Sequence, residues 1–165
     1  MALSNRDRIE RMFQVLAPAL DDFIASVVGQ GDKALGAAWP KLVQAKDEKN
    51  GAVGKDYNPL DPQVQFRILT ESNITGGFKK GWYPFDQSLG KVGEGFAIEL
   101  RDVRNKWAHN ESFTDDDAYR ALDTGERLLR LVGVAAQADE VQGIRLNLRR
   151  VTADKDDKRT LKAAA

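Results

Sequence analysis

Arg104, Asn105 and the chain's single histidine, His109, are the residues whose types and spacing suit chemistry. A neutral imidazole takes a proton from a ribose 2′-hydroxyl, and imidazoles ordinarily titrate near neutral pH. A guanidinium stays charged, grips a phosphate through paired hydrogen bonds and steadies the extra negative charge of a transition state. Together they suffice to cleave RNA through its own 2′-hydroxyl. That reaction leaves a cyclic phosphate, calls for no metal or cofactor, and spares DNA. Asn105 is suited to orient the imidazole or to donate to the phosphate. Arg101 and Lys106 add candidate substrate contacts nearby.

These residues fall near the end of an amphipathic helix, because Asn110 to Thr114 reads as a turn. Asn105 and His109 share a face. Arg104 and His109, five positions apart, diverge by about 140° on a helix of 3.6 residues per turn. Two arrangements bring them to one phosphate. A frayed last turn lets both side chains point into one cleft. Alternatively, a two-fold dimer sets the helix end against its copy, and the site holds two arginines and two histidines. The plain alternative is a solvated face, with Asp102–Lys106 an ordinary i,i+4 pair and His109 a cation near a helix C-terminus.

The remaining sequence limits what else the chain does. Its 165 residues suit one domain, and its 25 basic and 25 acidic residues cancel. With no global basic excess, any RNA contact is local. No cysteine is present, which excludes a disulfide framework, a thiol nucleophile and a thiolate metal site. No apolar run approaches the roughly 20 residues needed to span a bilayer, and the charged start is not a signal peptide. The expectation is a cytoplasmic protein or a fragment of one, without membrane contact. Nothing is assigned to Ala163-Ala164-Ala165.

Helical periodicity dominates. Ile9, Met12, Phe13, Leu16, Leu20, Phe23, Ile24 and Val27 mark a first helix, capped by Ser4 or Asn5 and ended by Gly29, with a kink or break at Pro18. A second helix is expected over 33–46, its inward residues Leu35, Trp39, Leu42 and Val43, with Pro40 an unfavourable residue inside it. Residues 47–58 read as a loop. Asp61-Pro62 opens another helix, running to about Ser72. The glycine- and aromatic-rich stretch from Thr75 to Gly90 reads as a long loop or short irregular pieces. Val92, Phe96, Leu100, Val103 and Trp107 form the stripe of the motif helix. Thr114-x-x-Asp117 caps the next, which carries Ala118, Leu122, Leu128, Leu129 and Val132. A last, more basic helix covers 139–151. The class is all-α, an antiparallel up-and-down bundle over residues 1–151 with an irregular insertion, followed by a charged, disordered tail or linker over 152–165.

Other chemistry is less well supported by the sequence. Lys79 and Lys80 beside Trp82, Tyr83 and Phe85 suit single-stranded bases, although packing of the loop onto the bundle explains the aromatics better. Arg145, Arg149 and Arg150 form a basic stripe that reads as a solvated face before it reads as an RNA contact. Asp115, Asp116 and Asp117 suit a helix N-terminus rather than a metal. Glu99 and Glu111 flank the motif as candidate supporting groups. The Gly76-Gly77 pair and Gly93-x-Gly95 lack the context of a phosphate loop, and there is no P-loop or Rossmann fingerprint.

The longer string from Leu100 to His109, followed by Thr114 to Leu122 and Arg127-Leu128-Leu129, resembles a HEPN domain. More narrowly, it resembles the HEPN subgroup named after a nuclear mRNA-surveillance endonuclease. The resemblance runs most clearly over 99–133. The family motif is Arg-x4–6-His, usually with a polar residue after the arginine, and Arg104, Asn105 and His109 match it position by position. The resemblance implies a helical bundle, homodimerisation through the motif helices and metal-independent RNase activity at the dimer cleft. It also implies a place at the N-terminus of a larger bacterial anti-phage defence protein, with further domains or subunits as partners. Some HEPN domains serve only as dimerisation, regulatory or sensor modules, which gives the second reading. A triphosphate-binding bundle using the same arginines is the third.

Overall fold

The structure, a computed structural model, describes residues 3–71, 74 and 85–164. Among these residues it is all-α, with eight helices and no strand. The expected helix at the N-terminus is α1, Asn5–Val28. Ser4 caps it in a reciprocal box with Asp7, which settles the choice between Ser4 and Asn5. The helix is not broken at Pro18. Pro18 and Gln14 are both exposed, so the carbonyl that proline leaves without a donor faces water. Ile9, Met12, Leu16, Leu20 and Ile24 make the buried face.

The single helix expected over 33–46 is two: α2, Lys33–Ala37, and α3, Pro40–Lys49. Pro40 has no N–H to continue the first and is well placed to begin the second. Trp39, between them, is fully buried and donates its indole N–H to Asp21 at 2.8 Å. The loop expected from residue 47 therefore starts later, after Lys49.

Helix α4, Pro62–Thr70, opens as expected, with the Asp61 side chain accepting from the Gln63 N–H. Buried Gln65 ties it to the chain around it, donating to the carbonyls of Ala17 and Pro59 at 2.7 Å. Ser72 and residues 75–84, including Lys79, Lys80, Trp82 and Tyr83, lie outside the described residues. A short helix α5, Phe85–Ser88, follows, and its Phe85 is buried against Phe23.

The motif helix is α6, Gly90–Ala108. Its buried residues are Gly93, Ala97 and Leu100, with Phe96, Val103 and Trp107 partly covered. Val92, expected to face inward, is 66% exposed. The contact face is turned towards small residues because neighbours come close: a Cβ on Gly93 would sit 2.6 Å from Leu131 Cδ2. Helix α7, Asp115–Leu131, begins at the expected Thr114 cap and buries Ala118, Leu122, Leu128 and Leu129. Gly125 brings it against α1, where a Cβ would meet Met12 Sδ at 2.5 Å.

Helix α8, Ala135–Ala164, packs along α7 and α1. The stretch from Thr152, expected as a disordered tail, continues it as an exposed helical extension. Extending an existing helix costs little, and its alanines, lysines and leucine favour helix. Thr152 and Lys155 both reach Asp115 at 3.4 Å. No helix among the described residues is long and apolar enough to cross a membrane.

Candidate functional site

His109 is the C-cap of α6, and the turn behind it is closed. The Asn110 N–H donates to the Trp107 carbonyl at 3.2 Å, and the Glu111 N–H donates to the Lys106 carbonyl at 3.0 Å. This pair of bonds is a Schellman ending, and it requires a left-handed residue after the cap. Asn110 supplies it with φ of 58°, a conformation asparagine tolerates better than most residues.

Arg6 of α1 locks the same turn from outside. Its guanidinium donates to the Trp107 carbonyl at 3.0 Å and the Glu111 carbonyl at 3.2 Å, and lies 5.4 Å from the Trp107 ring centroid. A cation here also opposes the negative end of the helix dipole. Asn5 adds a bond to the Phe113 carbonyl at 3.0 Å. The last turn of α6 is thus fixed, and the frayed end considered from the sequence is not what the structure has. Arg104 and His109 keep the divergence of a regular helix.

Their surroundings differ accordingly. Arg104 is half-buried and faces a groove between α1 and the start of α4, with Asp61 3.8 Å away. Trp107 lies on the same groove, whereas His109 does not line it. His109 is exposed, and Asn105 is partly covered. Neither side chain makes a hydrogen bond among the described residues. Gly95, Ile98, Asp102, Asn105 and His109 recur every three or four residues and so form one face of α6. All but Asn105 are exposed, and Ile98 is 52% exposed.

Arg101 goes elsewhere. It pairs with Glu71 at 3.0 Å and donates to Thr70 Oγ1 at 3.0 Å, at the far end of α4. Glu71 also binds Lys46 at 2.9 Å and Arg67 at 2.7 Å, and Arg67 holds Asp47 at 2.7 Å. Burial works against the ionised Glu71, yet hydrogen bonds from Arg67 and Lys46 prevail and hold its carboxyl down at about 2. Hydrogen bonds from Arg67 hold Asp47 well below the usual carboxylate range. Tyr57 donates to Asp47, which pushes the phenol up. Arg101 is therefore bound into a network rather than presented to substrate. Lys106 makes the i,i+4 pair with Asp102 expected of a solvated face, at 3.4 Å.

The flanking candidates have structural partners as well. Glu99 pairs with Arg120 and accepts from Thr124 on α7. Glu111 is exposed and enters through its backbone. Asp115, Asp116 and Asp117 occupy the first turn of α7. Asp115 accepts from Asn5 at 2.9 Å, which holds its carboxyl below the ordinary value. Arg145 is not part of an outward basic stripe: it binds Glu126 at 3.1 Å and the Tyr119 hydroxyl at 2.8 Å, while Arg149 and Arg150 are exposed. Sequence reasoning missed Arg6, whose partners stand more than 100 positions away. The asparagine after His109 was the one local sign of how the helix ends.

A family model for the Swt1-like HEPN domain matches residues 11–133, which include α6 and the whole Arg104–His109 motif. No curated protein and no solved structure matches the chain.

Proposed function

The chain belongs to the Swt1-like HEPN family, and on that premise we propose that it is a metal-independent endoribonuclease domain that works as a homodimer. HEPN membership points to RNase-type or nucleotide-binding activity. The observation that carries the finer reading is the unspent state of the motif. Among the described residues, His109 is exposed without a hydrogen-bond partner, and the one charged partner of Arg104 is Asp61 at 3.8 Å. Because the helix end is closed, one chain does not bring both side chains into a single cleft. In the proposed dimer the exposed α6 face meets its equivalent and brings His109 to the seam, and the long Arg104 side chain reaches that seam from the edge of its groove.

In that arrangement His109 is the general base towards the 2′-hydroxyl, or the acid towards the leaving oxygen. Arg104 holds the phosphate as its charge develops, and Asn105 orients the imidazole. Lys106 is a peripheral phosphate contact, and Arg101 sets the position of α6 against α4. The natural setting we propose is a larger cytoplasmic RNA-targeting or anti-phage defence protein.

The second reading, a non-catalytic dimerisation, regulatory or sensor module, draws on the pairing of both motif-helix arginines with α4. RNA cleavage in EDTA separates the two. The nuclease reading expects cyclic-phosphate products from the wild-type chain and none above background from Arg104→Ala or His109→Ala. Equal activity in the three preparations contradicts it.

A further inference from the structure

The groove that Arg104 faces is a second place where substrate chemistry is laid out. It holds about 260 Å³. That is less than the roughly 300–1,000 Å³ of pockets that take a drug-sized ligand, and it suits a single planar ring system. Trp107, Leu60 and Pro62 give it apolar walls, while Glu10, Asp61 and Arg104 give it charged edges. Arg6 fixes the Trp107 indole by its cation–π contact and its bond to the Trp107 carbonyl. Glu10 is exposed and has no ion pair or hydrogen bond among the described residues. Asp61 uses Oδ1 for both the Gln63 N–H and Arg104, which leaves its Oδ2 without a partner there.

We propose that this groove is a nucleobase subsite that takes guanine from the RNA strand held by Arg104. The inference rests on the ribonuclease reading and adds base selection to it. An aromatic face beside a cation is what an unstacked base seeks, and every base has a π-face to offer. The carboxylates make the choice among bases. An ionised carboxylate only accepts hydrogen bonds. Guanine alone presents two adjacent donors, N1–H and the N2 amino group, on its pairing edge. Adenine and cytosine put a ring-nitrogen lone pair beside their amino donor, and uracil flanks its one N–H with carbonyl oxygens. Each of those edges sets a lone pair against Glu10. Arg104 at the rim then meets the phosphate attached to the bound nucleoside.

The test has a binding arm that does not depend on cleavage. The full chain carrying His109→Ala is titrated with the 3′- and 5′-monophosphates of guanosine, adenosine, cytidine and uridine, up to millimolar, while the Trp107 indole N–H is followed by NMR. A guanosine nucleotide is expected to bind at least about tenfold more tightly than the other three and to shift that resonance. Adding Glu10→Gln, a change at an exposed position, is expected to remove most of the preference. Adding Arg104→Ala is expected to weaken all four nucleotides alike. Equal affinities, no binding, or a preference that survives Glu10→Gln overturns the subsite.

The cleavage arm uses the wild-type chain in EDTA on RNAs that differ in the base beside a single scissile bond. Cutting without base preference overturns the subsite and leaves the nuclease reading standing. Guanosine binding without any cutting supports the subsite and removes the nuclease reading.

Discussion

Arg101 and Arg104 leave α6 three residues apart and both reach α4, yet they arrive in opposite surroundings. Arg101 enters a half-buried network with Glu71, Thr70, Lys46, Arg67 and Asp47, in which every carboxylate has close donors. Arg104 meets one carboxylate at 3.8 Å on the rim of an open groove. Three residues past it, Trp107 anchors the helix end, and His109 projects beyond with no hydrogen-bond partner for its imidazole among the described residues. Charges paired inside the fold hold it together, and a cation with no close partner among the described residues stays available to an incoming phosphate. The same helix does both, one turn apart.

The largest effect should come from the unsatisfied end. Arg104→Ala or His109→Ala is expected to lower RNA cleavage by about 100-fold or more, the usual worth of a transition-state cation or a general base. Their far-ultraviolet circular dichroism should match the wild type. A variant that loses activity only because it unfolds breaks the comparison, since it makes this end structural too.

At the satisfied end, the expected loss is in stability. Arg67→Ala removes the guanidinium that Asp47 and Glu71 share, leaving Asp47 with Tyr57 and Glu71 with Lys46 and Arg101, and should cost about 2 kcal/mol by urea unfolding. The network also sets an acid limit. Glu71 is held at about 2 in the folded chain against 4.5 for the free group. Its contribution is complete above pH 4.5 and is lost as pH falls from there towards 2. Asp47, lowered in the same direction, adds to that loss. The wild-type urea midpoint should fall across this window, and Arg67→Ala should fall less steeply, because the depressed carboxyls return towards ordinary values. Parallel slopes would show that the pairs carry little of the stability.

Between the two ends stands Arg6. Arg6→Ala removes both carbonyl bonds at the turn after His109 and is expected to cost about 1 kcal/mol. Amide exchange should speed at Asn110 and Glu111 while α1 and α7 keep their protection. Unchanged exchange there would mean that the Schellman bonds suffice alone. The smallest effect belongs to Lys106→Ala. Its exposed pair with Asp102 should change stability by under about 0.5 kcal/mol, and RNA affinity should lose about one phosphate contact's worth of salt dependence.

How much of this was legible in the sequence follows from the range of each interaction. Caps and periodicity are local, so Ser4, Asp61 and Thr114 announced α1, α4 and α7. Pro40 was read as a blemish in one helix when it separates two, because its effect depends on whether Trp39 has a pocket to fill. Val92 followed the apolar stripe but lost its place to Gly93 and Ala97, whose small size matters only when a neighbour presses close. The motif residues were readable as a string, and the turn after them as a turn. The network around Arg101 was not, since apart from the i,i+4 pair Arg67–Glu71 its members come from three separate helices and the residue after α4. Residues 152–164 show the limit of composition, which registers charge but not continuity with a helix already formed.

The central claim is that the exposed face of α6 meets the same face of a second copy, bringing two Arg104–His109 pairs to one phosphate. The chain has no cysteine, so Asp102→Cys carries a single spin label per copy. Pulsed dipolar spectroscopy on that labelled protein should find a short label-to-label distance, as for helices packed with axes about 8–10 Å apart. Absence of dipolar coupling, or a distance comparable to the full width of two bundles, would contradict the account.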